Sequence, residues 1–318
     1  MKVTKATPEA IAEAAAALRR GELVAFPTET VYGLGADATN ARAVAAIFEA
    51  KGRPRFNPLI SHVADVTAAG RIGKLTEHGW RLADAFWPGA LTLVLEKRPE
   101  CPVADLATAG LATVAVRVPA HPIAQRLLAA ANVPVAAPSA NRSGHVSPTT
   151  AAHVAADLAD RVAMILDGGP TAVGLESTVV DVTGKAPVIL RLGGVSRGDI
   201  AKVIGSPVVE LATGDADKPA SPGMLARHYA PTTRLRLNAV DARDGEALLA
   251  FGPRMPAHVG PVVNLSASGD LAEAAANLFA ALRTLDAAGA TGIAAMPIPE
   301  EGLGEAINDR LRRAATPP

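Results

Sequence analysis

The residues best suited to chemistry crowd into KGRPRFNPLISH, residues 51–62, where three cations and two prolines share twelve positions. The whole chain carries 31 Lys+Arg against 31 Asp+Glu, so this surplus is local. Lys51 and Arg53 alternate and can face one way, Gly52 admits close approach of a ligand to the backbone, and Pro54 fixes the turn. An ammonium beside a planar guanidinium fork suits a polyphosphate. A solvated basic turn is the bland alternative. No G-x-x-x-x-G-K-[ST] occurs, so a nucleotide bound here is not held by a P-loop. The GLG at 33–35 is too short to signal a dinucleotide site.

Three polar strand ends add to the basic loop. In TVAVRVP, Val114, Val116 and Val118 point one way, and Thr113, Ala115 and Arg117 point the other, onto a non-core face. Thr113 and Arg117 then stand about 13 Å apart, four residues at about 3.3 Å each, a span that can hold both ends of a composite substrate. Thr28 and Thr30 share a face in FPTETVYGLGADA ahead of a Gly-rich turn, and Ser139 and Asn141 share one in APSANRSG. A solvated arginine and ordinary Ser/Asn turns are the competing readings. The usual catalytic signatures are missing. APSANRSG lacks the G-x-S-x-G elbow, and His62, His145 and His228 lack metal-ligand spacing. Glu176 and Asp181, five apart in LESTVVDV, point to opposite faces and make a poor carboxylate pair. Cys101 lies in a loop and receives no role. The expected site binds and positions, without an obvious nucleophile.

The elements that must hold these residues read as an α/β layout. Strands are expected in ELVAFP, NPLISHV, LTLVLE, TVAVRVP, VPVAAPS, MILDG, STVVDV and PVILRLG. Helices are expected near 41–50, 76–86, 121–131 and 148–158. Several strands follow one another directly, which predicts a mixed sheet. Residues 205–233 are rich in Pro, Gly, Asp and Thr without sustained period and read as a long linker. Beyond it, EALLAFG, PVVNLS, a helix near 270–288, GIAAMPI and a helix near 302–315 outline a small Rossmann-like domain. Aromatics make up 3% of the chain, so packing must lean on Ala, Val and Leu. A single cysteine excludes a disulfide framework and a multi-thiolate metal site, and points to a reducing, cytoplasmic compartment. Glu9 and Glu13 interrupt the apolar N-terminal stretch, which argues against a signal peptide, and no apolar run is long enough to span a membrane. Zero net charge argues against gripping a long nucleic acid, while leaving room for a locally positive pocket.

Taken in order, FPTETVYGLGADA, KGRPRFNPLISHV, TVAVRVPAHP, APSANRSGHVSPT, LESTVVDV, ILRLGGVS and SPGMLARHYAP resemble the YrdC/YwlC family of threonylcarbamoyl-AMP synthases in its long two-domain form. The resemblance covers most of residues 10–231. It implies a YrdC-like open, twisted mixed sheet with helices in residues 1–204, a lid-forming linker at 205–233, and a Rossmann-like α/β domain at 234–318. The implied reaction joins L-threonine, bicarbonate or CO2, and ATP into L-threonylcarbamoyl-AMP, releasing pyrophosphate, with Mg²⁺ carried mainly by the phosphates. A partner transferase then passes the threonylcarbamoyl group to adenosine-37 of tRNAs reading codons that begin with A. Carried over by motif, Lys51 and Arg53 act on the polyphosphate. ATP contacts are implied at Arg53, Asn57, Thr113, Ser139, Asn141, Ser147, Arg191 and Tyr229. Threonine contacts are implied at Thr30, His62, Arg117, the backbone of Ala137, and Ser177. This chain departs from the family pattern at Ser61, usually branched and apolar, at Leu192, usually proline, and at Leu225-Ala226, commonly basic then aromatic. Weak RNA binding is a further partner expectation. The rival readings are a double-stranded RNA or ribosome-assembly module, with strongly salt-dependent RNA binding, and a related carbamoyl transfer to another acceptor.

Overall fold

A computed structural model describes residues 2–54, 56–210 and 228–317. Arg55 and most of the expected linker, including Leu225, Ala226 and Arg227, lie outside the described residues.

The larger sheet takes strands from the first two-thirds of the chain. Its N-terminal members are Lys2–Lys5 (β1), Val24–Phe26 (β2), Gly33–Asp37 (β3), Ile60–His62 (β4), Gly73–Lys74 (β5) and Leu91–Lys97 (β6). Thr113–Arg117 (β7), Val135–Ala136 (β8), Met164–Asp167 (β9), Thr178–Asp181 (β10), Val188–Arg191 (β11) and Val209–Glu210 (β12) follow. The spatial order is β1-β9-β2-β3-β8-β4-β7-β6-β10-β11-β12, with β5 paired to β6. Parallel pairs such as β4 with β7 alternate with antiparallel ones such as β6 with β7, so the sheet is mixed, as the runs of adjacent strands required. Around it lie Pro8–Arg19 (α1), Ala41–Lys51 (α2), Val66–Ile72 (α3), Glu77–Phe86 (α4), Pro122–Ala131 (α5), Ala151–Leu158 (α6) and Arg197–Ile204 (α7).

The second sheet is all parallel, in the order β13-β16-β14-β15, from Leu235–Arg236 (β13), Glu246–Ala250 (β14), Val262–Asn264 (β15) and Gly292–Ala295 (β16). Leu271–Asp286 (α8) and Leu303–Ala315 (α9) pack on it. One apolar cluster runs from Leu34 and Ile47 through Leu192 and Tyr229 to Phe279 and Ile307, so the two sheets share a continuous core. Polar pins cross the same boundary: Arg283 to Asp157 at 2.6 Å and Arg197 to Glu305 at 2.9 Å.

Local chemistry explains where sequence periodicity misleads. The Gly-rich stretch after Thr30 is a strand, because a Cβ at Gly35 would meet the Phe26 ring at 2.8 Å and the Val24 carbonyl at 3.2 Å. Gly52 ends α2 at φ 61°, with its N–H on the Glu49 carbonyl, so this glycine serves helix termination. Asn40 caps the other end of α2 through Oδ1 to the N–H groups of Arg42 and Ala43. Fixed at both ends, α2 delivers Lys51 and Arg53 to the inner edge of the sheet.

Ser61 shares its face of β4 with Val116 and Ala136 and is 1% exposed. Its hydroxyl has no hydrogen-bond partner among the described residues. Such a group costs about 1–3 kcal/mol. Ser61→Ala is therefore expected to raise stability by about 1 kcal/mol in chemical denaturation; a variant less stable than the native chain contradicts this.

Candidate active site

One cavity of about 50 Å³ gathers residues from widely separated segments. Thr28, Thr30 and Val31 come from the loop between β2 and β3, Arg53 from the turn after α2, and Ile60 and His62 from β4. Arg117 ends β7, while Ala137, Pro138 and Ser139 follow β8. Glu176 and Ser177 precede β10, Arg191 ends β11, and His228 and Tyr229 complete the wall. Strand alternation does the aiming: Ile60 and His62 line the cavity while Ser61 between them turns into the core. The face of β7 carrying Ala115 and Arg117, expected from sequence to be a non-core face, is buried, so Arg117 is not the solvated arginine of the alternative reading. Ala115 packs with Ile60, Val94, Val179 and Leu190, and Arg117 is 3% exposed.

The cations are buried, with backbone carbonyls among their hydrogen-bond partners. Lys51 donates from Nζ to the carbonyls of Ser139 and Asn141, both at 2.5 Å. Arg53 donates to the carbonyls of Pro58 at 3.0 Å and Asn57 at 3.4 Å. Arg191 holds Ser177 through its carbonyl at 2.8 Å and its Oγ at 3.2 Å. Burial and the neighbouring Arg191 push Arg53 down to about 10. Burial and Arg53 likewise hold Lys51 well below the usual lysine range. Polar atoms left over in the same region are the side-chain amide of Asn57 and Oδ1 of Asn141, both buried without partners among the described residues. Burying cations costs free energy that carbonyl partners return only in part.

Arg117 is differently held. Its Nε donates to the Gly89 carbonyl at 3.1 Å, Nη1 to Thr30 Oγ1 at 2.9 Å, and Nη2 to Glu29 Oε1 at 2.6 Å. Glu29 is itself fixed by the N–H groups of Ala120 and His121 on its other oxygen. Burial raises the Glu29 carboxyl, but Arg117 outweighs it and keeps the group below its ordinary range. His62 stacks edge-on to Phe26 and hydrogen-bonds through Nδ1 to the Ile60 carbonyl at 3.3 Å. Because a carbonyl only accepts, Nδ1 is the protonated nitrogen in that bond and Nε2 is left as an acceptor. Ser177 Oγ lies 2.7 Å from Thr92 Oγ1. The Ala137 N–H is engaged by the Ile60 carbonyl.

Of the residues expected from sequence, Thr30, Arg53, His62, Arg117, Ala137, Ser139, Ser177, Arg191 and Tyr229 line the cavity. Lys51, Asn57 and Asn141 stand behind this wall as described. Ser147 donates to Glu176 Oε1 at 2.5 Å, and Thr113 lies at the start of β7 opposite Glu96; neither lines the cavity. Three residues given no role from sequence emerge: Glu29, Glu176 and Arg310. Glu176, set aside there as half of a poor pair with Asp181, is 6% exposed, lines the cavity and accepts from Arg310 Nε at 2.9 Å. A legible signal existed for Arg310: it sits on the apolar stripe of α9 with Ala306, Ile307 and Ala314.

Fold and pocket define an α/β protein with a cavity lined by buried arginines among the strand ends of its main sheet. Residues 16–193 match the family described as Telomere recombination, and residues 195–316 match the Threonylcarbamoyl-AMP synthase C-terminal domain. The threonylcarbamoyl-AMP synthase of Bacillus subtilis (strain 168) is 44% identical, over 96% of this chain and 92% of that one. The synthase of Pyrococcus abyssi is 45% identical, over 95% of this chain and 93% of its own. The crystal structure of P. abyssi Sua5 complexed with L-threonine superposes with a TM-score of 0.90 at 42% identity, covering 99% of this chain and 96% of that one. The chain belongs to the two-domain threonylcarbamoyl-AMP synthase family.

Burial and the positive Arg117 lower His62 from 6.5 to about 3. The unfolded chain therefore takes up a proton that the folded chain refuses, and the His62 contribution to stability is intact above about pH 6.5 and lost as pH falls toward 3. The His62 imidazole resonances should not titrate between about pH 5 and 8 in NMR spectra of the folded protein. A midpoint near the ordinary histidine value contradicts the buried, neutral assignment.

Proposed function

We propose that this cavity is where the chain makes L-threonylcarbamoyl-AMP from L-threonine, bicarbonate or CO2, and ATP, with release of pyrophosphate. The observation that carries this reading is the convergence on one cavity of two unlike donor sets. Arg53 and Arg191, backed by Lys51, suit a polyphosphate; Arg117, Thr30, His62 and Ser177 suit an amino acid. Membership of the synthase family and the L-threonine bound to P. abyssi Sua5 support it.

On this reading Arg117, held rigid by Glu29, Thr30 and Gly89, offers its remaining N–H groups to the threonine carboxylate. His62, neutral, presents Nε2 to the threonine hydroxyl or amine. The amine captures CO2 as a carbamate with loss of one proton. A carbamate oxygen then attacks the α-phosphorus, and the bond to the β-phosphate oxygen breaks to release pyrophosphate. Arg53 and Lys51 stabilise the charge that develops on the leaving group, and Asn57, Asn141 and Ser139 complete the nucleotide side, while Ser147 acts behind the wall through Glu176. No side chain is assigned as a base.

Mg²⁺ favours phosphate and water oxygens. The two carboxylates nearest the cavity are already engaged, Glu29 by Arg117 and Glu176 by Arg310 and Ser147. Among the described residues no group of three or more His, Cys, Asp or Glu is placed to hold a metal. The fit is therefore to an ion carried by the polyphosphate, where it would neutralise charge.

Residues 1–204 would be the catalytic unit and 234–318 a second domain, with 205–233 as a lid whose His228 and Tyr229 line the cavity. A cavity of about 50 Å³ is far below the ~300–1,000 Å³ of a small-molecule site, so the cavity has to widen for ATP to enter. The product would pass to a transferase acting on adenosine-37 of tRNA. The single cysteine fits work in the cytoplasm; among the described residues no helix is long and apolar enough to cross a membrane.

The test is pyrophosphate release by the full chain. Release should require ATP, threonine, bicarbonate and Mg²⁺ together. Equal release without threonine overturns the assignment.

A further inference from the structure

We infer that Arg310, supplied by the second domain, is a positioning residue for the nucleotide site: it neutralises Glu176 in the cavity wall and braces Tyr229, keeping the site's positive charge available to a polyphosphate. This rests on the reading of the cavity as the ATP site.

Arg310 projects from α9 and is 0% exposed. An arginine is driven so deep only where its charge and donors are met. Nε donates to Glu176 Oε2 at 2.9 Å, Nη2 to the Leu192 carbonyl at 2.8 Å, and Nη1 to Asp309 Oδ2 at 2.6 Å. Its guanidinium carbon lies 4.9 Å from the centre of the Tyr229 ring, which also stacks at 5.6 Å on Phe279 of α8. The second domain thus fixes both the wall carboxylate and the residue that closes the cavity.

A domain pin alone has no need of this carboxylate. Glu176 lines the same cavity as Arg53 and Arg191, where an uncompensated negative charge repels phosphate and competes for those cations. Burial pushes the Glu176 carboxyl up, while Arg310, Arg191 and the Ser147 hydroxyl outweigh it and keep it ionised. With Arg310 in place that charge is spent within the wall. Asp309, which also pairs with Arg310, has a second cation in Arg313 at 2.9 Å. Removing Arg310 while keeping Glu176 therefore subtracts from the field that an incoming polyphosphate meets. Threonine, held by Arg117 and Thr30, is affected little.

The experiment compares the native full chain, Arg310→Met, Glu176→Gln and the double variant, measuring Mg²⁺–ATP and L-threonine affinity separately by calorimetry. Arg310→Met is expected to weaken ATP binding about tenfold or more, as for truncating one partner of a buried charge pair, with threonine affinity changed by less than about threefold. The double variant is expected to recover ATP affinity to within about threefold of native, because the charge that Arg310 balances is gone. Native ATP affinity in Arg310→Met, or a folded double variant that recovers nothing, overturns the inference. Should Arg310→Met not fold, Glu176→Gln decides: ATP affinity at or above native supports the inference, and a loss of about tenfold or more overturns it. A native chain that binds threonine but no ATP refutes the assignment of the cavity itself, an outcome distinct from any difference among the variants.

Discussion

Three cations, Lys51, Arg53 and Arg191, are buried at one edge of a mixed sheet with carbonyl oxygens prominent among their partners. Carbonyls satisfy the donors without cancelling the charge, so the ions keep most of their desolvation cost in the absence of a ligand. The surrounding structure is arranged to hold them there. Gly52 stops α2 at Lys51, the SANR segment turns two carbonyls onto Nζ, and β10 and β11 clasp Ser177 against Arg191. On the proposed reading of the cavity, a polyanion converts part of this cost into binding energy, and that exchange links the fold to nucleotide use.

Arg117 follows the opposite rule. Its charge is met by Glu29, and its Nε, Nη1 and Nη2 are each engaged, so it is rigid and nearly neutralised. Rigidity suits recognition of a small zwitterion, for which misplacement costs more than weak field. The second domain joins the same electrostatic design. Its α8 and α9 bring Arg283 to Asp157 and Arg310 to Glu176, and Phe279 to the ring of Tyr229. The catalytic wall and the domain boundary are one surface.

Much of this was legible in the residues. The strands ending in Arg117 and Arg191, α2 before Lys51, and the alternation that separates His62 from Ser61 all follow from period-2 and period-3.6 patterns. The residues that were missed share a physical cause. β3 was hidden because its glycines, which read as a turn, are needed to clear Phe26. The Ala115–Arg117 face read as non-core because the apolar residues beside it on the same sheet face, from β4, β6, β10 and β11, come from distant sequence. Glu176 looked unpaired because its partner is 134 residues away on α9. Long-range charge pairing leaves no periodic trace; its nearest trace was an arginine on an apolar stripe.

Pyrophosphate alone, without threonine or bicarbonate, probes the central claim most directly, because it meets only the buried cations. If these cations bind a polyphosphate, saturating pyrophosphate stabilises the native chain against heat, by about 2.7 kcal/mol at a hundredfold excess over Kd. Arg53→Met, which keeps bulk but not charge, loses most of that gain while remaining folded. An unchanged Tm for the native chain, or an equal gain in Arg53→Met, contradicts the account.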